Sequence, residues 1–288
     1  MVSAENRILL RIFSFCSKAE MDMFRGALLR SSKPAGPAAP HLIMDTPHTA
    51  ITFPLTRWSM VLAAAGRSDS DTGRALQEIC RQYWAPLYSY ARQWGLSPED
   101  AEDRTQEFLI TSVNTALLTE ANPAKGRLRT FLLKAFQHDL LDARRRETSR
   151  KRGGGCELIA LETAEIEGLM SLCSTTTPEG IYDHVWAVTT LKQAVQALGI
   201  EYASAGKTGV FETLRGFLDP GAEPDHTKAA EALGLNPNAL RQAVFRLRQR
   251  FRTLLRQQLA DTLQFPDEQQ INEELEAIKA ALLVSVDG

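Results

Sequence analysis

From residue 58 onward, apolar side chains return every three or four positions, in blocks cut by glycine and proline, which is the spacing of helices with one buried face. Residues 55 to 152 read as one compact helical domain, with breaks at residues 66 to 73, 95 to 98 and 122 to 126 that divide it into four helices. Within it, Leu128, Phe131, Leu132, Ala135, Phe136, Leu140 and Ala143 form a stripe of period 3.6 that must face a core. Gly153, Gly154 and Gly155 then open a polar stretch, 153 to 178, expected to be a flexible linker with at most short structure. A second helical domain follows over residues 179 to 265. Its sharpest pattern is local: Asp225 caps a short helix over 227 to 233, Gly234-Leu235-Asn236 makes a tight turn, and Asn236 caps a second helix whose first residue is Pro237. This predicts a helix-turn-helix, with Leu240, Val244, Leu247, Phe251, Leu254 and Leu255 on one arc of the second helix. The last segment, 266 to 288, places Ile271, Leu275, Ile278 and Leu282 on one stripe and should pack on something. Residues 1 to 54, with the Pro- and Ala-rich stretch 31 to 40, read as a poorly ordered leader in which Met44 is a candidate true start.

Composition agrees with this pattern and narrows the class. The 288 residues are 44% hydrophobic and 24% charged, as in globular proteins. Aromatics are only 7%, and β-branched runs are scarce beside Ala, Leu, Arg, Gln and Glu, so the expected fold is all-α: two small helical domains joined by a flexible linker. No run of eighteen apolar residues exists to span a membrane. The best candidate for a secretory signal, residues 8 to 16, is interrupted by Arg11 and lacks a small-residue cleavage site, so a cytoplasmic protein is expected. Cys16, Cys80, Cys156 and Cys173 lie far apart without a C-x-x-C pair and read as reduced, non-ligating thiols.

Charge is segregated although the net is only -2. Residues 125 to 152 hold ten Lys or Arg against three acids, and residues 227 to 256 hold seven against one, whereas residues 261 to 288 hold seven acids and one Lys. Two basic patches on a nearly neutral chain point to one polyanion held at two places, and nucleic acid is the leading candidate. A solvated helix face is the simpler reading of either patch alone.

Three segments could carry chemistry. Ser97-Pro98-Glu99-Asp100 starts a helix with acids facing the dipole, and its exposed face carries Glu99, Asp103, Gln106 and Glu107. No His, Cys or metal spacing accompanies these carboxylates, so a solvated or protein-binding face outweighs acid-base catalysis. The helix 127 to 146 carries Arg127, Arg129, Lys134, Gln137, His138, Arg144, Arg145 and Arg146 away from its stripe. With the preceding loop, Asn122 to Gly126, it could track a phosphate backbone while the loop holds unstacked bases. On the helix-turn-helix, Asn238, Arg241, Gln242, Phe245, Gln249 and Arg252 share the arc opposite the apolar one, so Phe245 is expected to be an exposed aromatic. Those residue types suit major-groove reading; a purely structural helical hairpin is the alternative. Gly206-Lys207-Thr208 imitates the end of a phosphate loop, but Glu201 stands where that motif needs glycine and no strand precedes it.

The order of these parts resembles a bacterial extracytoplasmic-function (ECF) sigma factor of RNA polymerase. The likeness is carried by Tyr83-Trp84-Ala85-Pro86-Leu87-Tyr88, by Ser97 to Asp103 with Gln106-Glu107-Phe108, and by Gly126 to Leu132. Tyr182-Asp183 with Trp186-Ala187, Glu201-Tyr202 with Gly206-Lys207, and Ala229 to Arg250 resemble the variant widespread in planctomycetes. The resemblance implies a region 2 helical bundle and a region 4 helix-turn-helix. It implies that Asp100, Asp103, Gln106 and Glu107 contact the clamp of the largest polymerase subunit. Asn122, Lys125, Arg127, Arg129, Lys134, His138, Arg144 and Arg145 would hold minus-ten promoter DNA, and Asn238, Arg241, Gln242, Phe245, Arg246 and Gln249 would read the minus-thirty-five element. The flap of the second-largest subunit and promoter DNA are implied partners, and an anti-sigma factor or other regulator is a further candidate.

The expected function is therefore a promoter-specificity subunit with no catalytic residues, no metal and no cofactor. A stand-alone helix-turn-helix regulator is the first alternative. A hydrolase or ATPase using Glu102, Asp103 and Glu107 or Lys207 is the second; it needs convergent ligands or a phosphate loop, and the sequence holds neither.

Overall fold

A computed structural model describes residues 69 to 114, 127 to 147, 163 to 171, 177 to 218, 224 to 263 and 266 to 283. The leader, the helix expected ahead of residue 66, the loop 122 to 126 and the three glycines after Arg152 lie outside the described residues. The elements are α1 (Asp69–Trp94), α2 (Pro98–Asn114), α3 (Leu128–Glu147), α4 (Thr163–Ser171), α5 (Pro178–Ser204), α6 (Thr208–Leu214) with a 3-10 turn (Arg215–Leu218), α7 (His226–Leu233), α8 (Pro237–Ala260) and α9 (Glu268–Leu283). No strand occurs among the described residues, so the fold there is all-helical, as the pattern predicts.

Two compact units emerge. One comprises the described residues of Phe53–Thr190 and Gln257–Gly288, the other Leu191–Arg256. The change of unit falls inside α5 and inside α8, not in the glycine-rich stretch.

In the first unit α1 packs against α2, α3 and α4. Its middle is buried on all sides, with Tyr83, Leu87, Tyr88, Tyr90 and Ala91 nearly inaccessible, and the helix runs through Pro86 although that residue has no N–H to donate. From α3, Leu128, Leu132, Phe136, Leu140 and Ala143 are buried as the stripe predicts, while Phe131 and Ala135 are only half-buried. Phe136 meets Phe108 at 4.9 Å between ring centroids and Tyr90 edge-on at 6.3 Å, and burial of one such ring is worth about 1.5 to 3 kcal/mol. The short α4 is not idle: Ile166 and Leu169 are buried, and Glu167 accepts hydrogen bonds from Tyr88 and Arg92. The apolar stripe of α9 is buried too, through Ile271, Ile278 and Leu282, with Leu275 against Ala260 and Leu263. The expectation that this segment packs is met within the first unit.

In the second unit Phe211, Leu214, Phe217 and Leu218 form a core with Ala229 and Ala230 of α7 and with Leu240, Val244, Leu247, Phe251 and Leu255 of α8. Leu254, expected on the buried arc, is half-buried. Gly206 and Gly234 have φ of +68° and +61°, the left-handed conformation that ends α5 and α7 cheaply only with glycine. At the first of these ends Lys207 N–H donates to the Tyr202 carbonyl at 2.8 Å. The phosphate-loop look-alike is thus a helix terminus.

Candidate functional site

The acidic face of α2 is set by its cap. Ser97 Oγ accepts from the Asp100 amide at 3.1 Å and donates to the Asp100 carboxylate at 2.6 Å, which fixes the first turn. Asp100, Asp103 and Glu107 are exposed. Glu107 accepts from Arg104 at 2.9 Å, and Arg104 also lies 3.7 Å from Asp139 of α3. Gln106 departs from expectation: it is half-buried, and its Nε2 is buried without a hydrogen-bond partner among the described residues. At 100° per residue Gln106 lies at the edge of the buried arc of Ala101, Thr105, Phe108 and Leu109, not opposite it.

On α3 the residues expected to meet DNA separate into two groups. Lys134, His138, Arg144 and Arg145 are exposed, with Arg145 paired to Asp142 at 3.3 Å. Gln137 is held inward, donating to Tyr90 and Glu179 at 3.0 Å each. Arg127 and Arg129, at the head of the helix, are engaged inside the protein. Arg127 pairs with Glu273 at 2.8 Å and Glu274 at 2.5 Å. Arg129 pairs with Asp183 at 2.6 Å and Glu274 at 3.2 Å, and its guanidinium lies 4.6 Å from the Trp186 ring centroid. Glu274 is 1% exposed, and its contacts with Arg129 and Arg127 are charge pairings, not aligned hydrogen bonds. Burial raises the Asp183 carboxyl above its ordinary value, and Arg129 only partly offsets this. Asn122 and Lys125 lie outside the described residues.

Sequence reasoning missed Asp183, Trp186 and Glu274 as members of one cluster. A signal existed for Glu274. It stands three positions after Ile271 and four before Ile278, inside the apolar stripe, where a carboxylate demands a partner.

The helix-turn-helix forms as read. Asp225 Oδ1 accepts from the Thr227 and Lys228 amides at 2.9 and 3.0 Å, and these bonds, the Lys228 one foremost, hold its carboxyl below the usual value. Asn236 Oδ1 accepts from the Ala239 amide at 2.8 Å and caps α8. On α8, Asn238, Arg241, Gln242, Arg246 and Gln249 are exposed, and Arg241 donates to Asn238 at 3.1 Å. Phe245 is half-buried rather than exposed. Arg252 is half-buried. Behind this face, α8 is tied down by Arg250, which holds Glu201 through two hydrogen bonds, and by Arg248, which donates to the Phe217 carbonyl at 2.8 Å. The bond to Glu201 outweighs burial and keeps Arg250 above its ordinary pKa.

Among the described residues there is no group of three His, Cys, Asp or Glu side chains that could hold a metal. No described helix is long and apolar enough to cross a membrane. Cys80 is half-buried, and burial pushes its thiol up to about 11, away from a reactive thiolate. Comparison with known proteins finds no matching family, no matching curated protein and no matching solved structure.

Proposed function

We propose that this chain is an RNA polymerase sigma subunit of the ECF type, a non-catalytic cytoplasmic protein that binds core polymerase and directs it to promoters. The observation that carries the reading is the helix-turn-helix. Its second helix is capped by Asn236, braced from behind by Arg248 and Arg250, and turns Asn238, Arg241, Gln242, Arg246 and Gln249 outward on successive turns. Arg pairs bidentately with guanine and Asn or Gln with adenine, so this row has the chemistry of major-groove reading of a minus-thirty-five element. Two features of the other unit support the same reading. The exposed carboxylates Asp100, Asp103 and Glu107 offer a face for a basic protein surface, the polymerase clamp. The exposed cations Lys134, Arg144 and Arg145, with the polar His138 on the same helix, offer a track for the phosphates of an opened minus-ten strand.

The test is reconstitution. Purified full-length protein, mixed with core polymerase and a library of promoter fragments, should co-elute with the core enzyme and select DNA with two sequence elements. Retention of duplex DNA by the protein alone, with no effect of core polymerase, would replace this reading by that of a stand-alone regulator.

A further inference from the structure

The head of α3 is a built anion site. Arg127 accepts the first helical hydrogen bond of α3 through its carbonyl, Arg129 sits in the first turn, and that turn holds no acidic residue. Two guanidinium groups therefore stand at the positive end of a helix dipole, an arrangement that isolated helices avoid and that anions stabilise. The anions present are the chain's own. Glu273 and Glu274 are consecutive on α9, Glu273 lying 146 residues from Arg127; both engage Arg127, and Glu274, at 3.2 Å, shares Arg129 with Asp183 of α5, at 2.6 Å. Beside this site Arg129 is stacked on Trp186. A guanidinium fork takes carboxylate and phosphate oxygens in the same geometry, so a site filled by two carboxylates is one that a phosphodiester could fill.

We propose that α9 is an intramolecular stand-in for nucleic-acid phosphate: Glu273 and Glu274 occupy the anion site at the head of α3 and withhold Arg127 from single-stranded DNA, while Arg129 stays with Asp183 and Trp186. The inference rests on the promoter reading above. On that reading the exposed cations farther along α3, Lys134, Arg144 and Arg145, meet the strand first. The head of the helix joins only when a competing polyanion, or a partner that takes α9, displaces the carboxylates. Glu273 is half-exposed and can exchange with α9 in place, whereas Glu274 is 1% exposed between Ile271 and Ile278, so its release requires that stretch of α9 to lift.

The experiment measures affinity of the full-length protein for a single-stranded oligonucleotide at several salt concentrations, with and without core polymerase. Glu273→Gln with Glu274→Gln should tighten binding severalfold and steepen the slope of log K against log salt by about 0.7, the value for one further phosphate contact on a single strand. Glu268→Gln with Glu276→Gln removes the same charge from α9 away from the arginines and should leave that slope unchanged. Glu273→Gln alone removes only the half-exposed partner of Arg127 and should act in the same direction by a smaller factor, which guards against misfolding of the double variant. Adding Arg127→Ala to Glu273→Gln should cancel the gain. An unchanged slope in the first variant, or an equal gain in the second, overturns the inference while leaving the promoter reading intact. If neither wild type nor any variant binds a strand or is retained by core polymerase, the promoter reading itself fails and the inference with it.

Discussion

The guanidinium of Arg129 lies over the indole of Trp186, 4.6 Å from its centroid, while its polar edge meets Asp183 and the buried carboxylate of Glu274. Stacking on an aromatic face while bridging two separate carboxylates is something a lysine does poorly. Removal of Arg129 leaves Glu274, 1% exposed, with Arg127 as its remaining cation. Arg129→Ala should therefore cost about 3 kcal/mol in urea denaturation. Arg129→Lys should recover only part of that. A loss below experimental error for Arg129→Ala would show that solvent or Arg127 fully replaces it.

His184 is buried in α5, with Nδ1 3.1 Å from the carbonyl oxygen of Ala281 on α9. Burial holds its pKa below the ordinary 6.5, the bond to Ala281 opposing in part. On acidification the unfolded chain takes up this proton first. The stability His184 contributes is full above 6.5 and drains away as the pH falls from there through the lower folded-state value. Thermal unfolding followed from about pH 7.5 down to about pH 5 should show that loss, and His184→Gln should flatten this part of the curve. An unchanged profile in the variant would assign the slope to other groups.

Asp103 is exposed on α2. On the sigma-subunit reading, Asp103→Arg should weaken binding to core polymerase by about tenfold, a cost of about 1.4 kcal/mol, with the melting temperature unchanged. Equal affinity of wild type and variant in a titration would remove this face from the interface.

Arg241 and Arg252 make opposite predictions on α8. Arg241 is exposed on the reading face, and Arg241→Ala should cost about 1 to 3 kcal/mol and relax preference at one base pair. Arg252 is half-buried at the margin, where a phosphate contact is the expected role. Arg252→Ala should weaken all sequences alike and lower the salt slope by about 0.9. Promoter-library selection at two salt concentrations separates the two; unchanged preference in the Arg241 variant would move base reading to Asn238 and Gln242.

At Gly234 no atom lies within 4 Å of where a Cβ would stand, so space is not the constraint. The constraint is φ of +61°. Gly234→Ala should destabilise the helix-turn-helix by about 1 to 2 kcal/mol through backbone strain alone, and Gly234→Asn by less, since asparagine tolerates this conformation. Chemical denaturation of the three proteins gives the ranking.

What the sequence determined by itself is what depends on neighbours a few positions away. The caps at Ser97, Asp225 and Asn236, the turn at Gly234 and the apolar stripes of α3, α8 and α9 are all short-range patterns, and each forms where its residues place it, apart from Phe131, Ala135 and Leu254, which are half-buried. The exposure of the polar row on α8 was legible for the same reason. Only the tertiary structure decided which cations stay outside. Arg127 and Arg129 have the same local credentials as Lys134 and Arg144, and they differ because α9, 146 residues along the chain from Arg127, brings Glu273 and Glu274 to them. The burial of side chains off the centre of a polar face was equally invisible: Phe245 and Gln106 are half-buried although the period places both among polar neighbours. A helical period places a side chain on an arc to within one residue, and the neighbours that settle the last few tens of degrees come from distant segments.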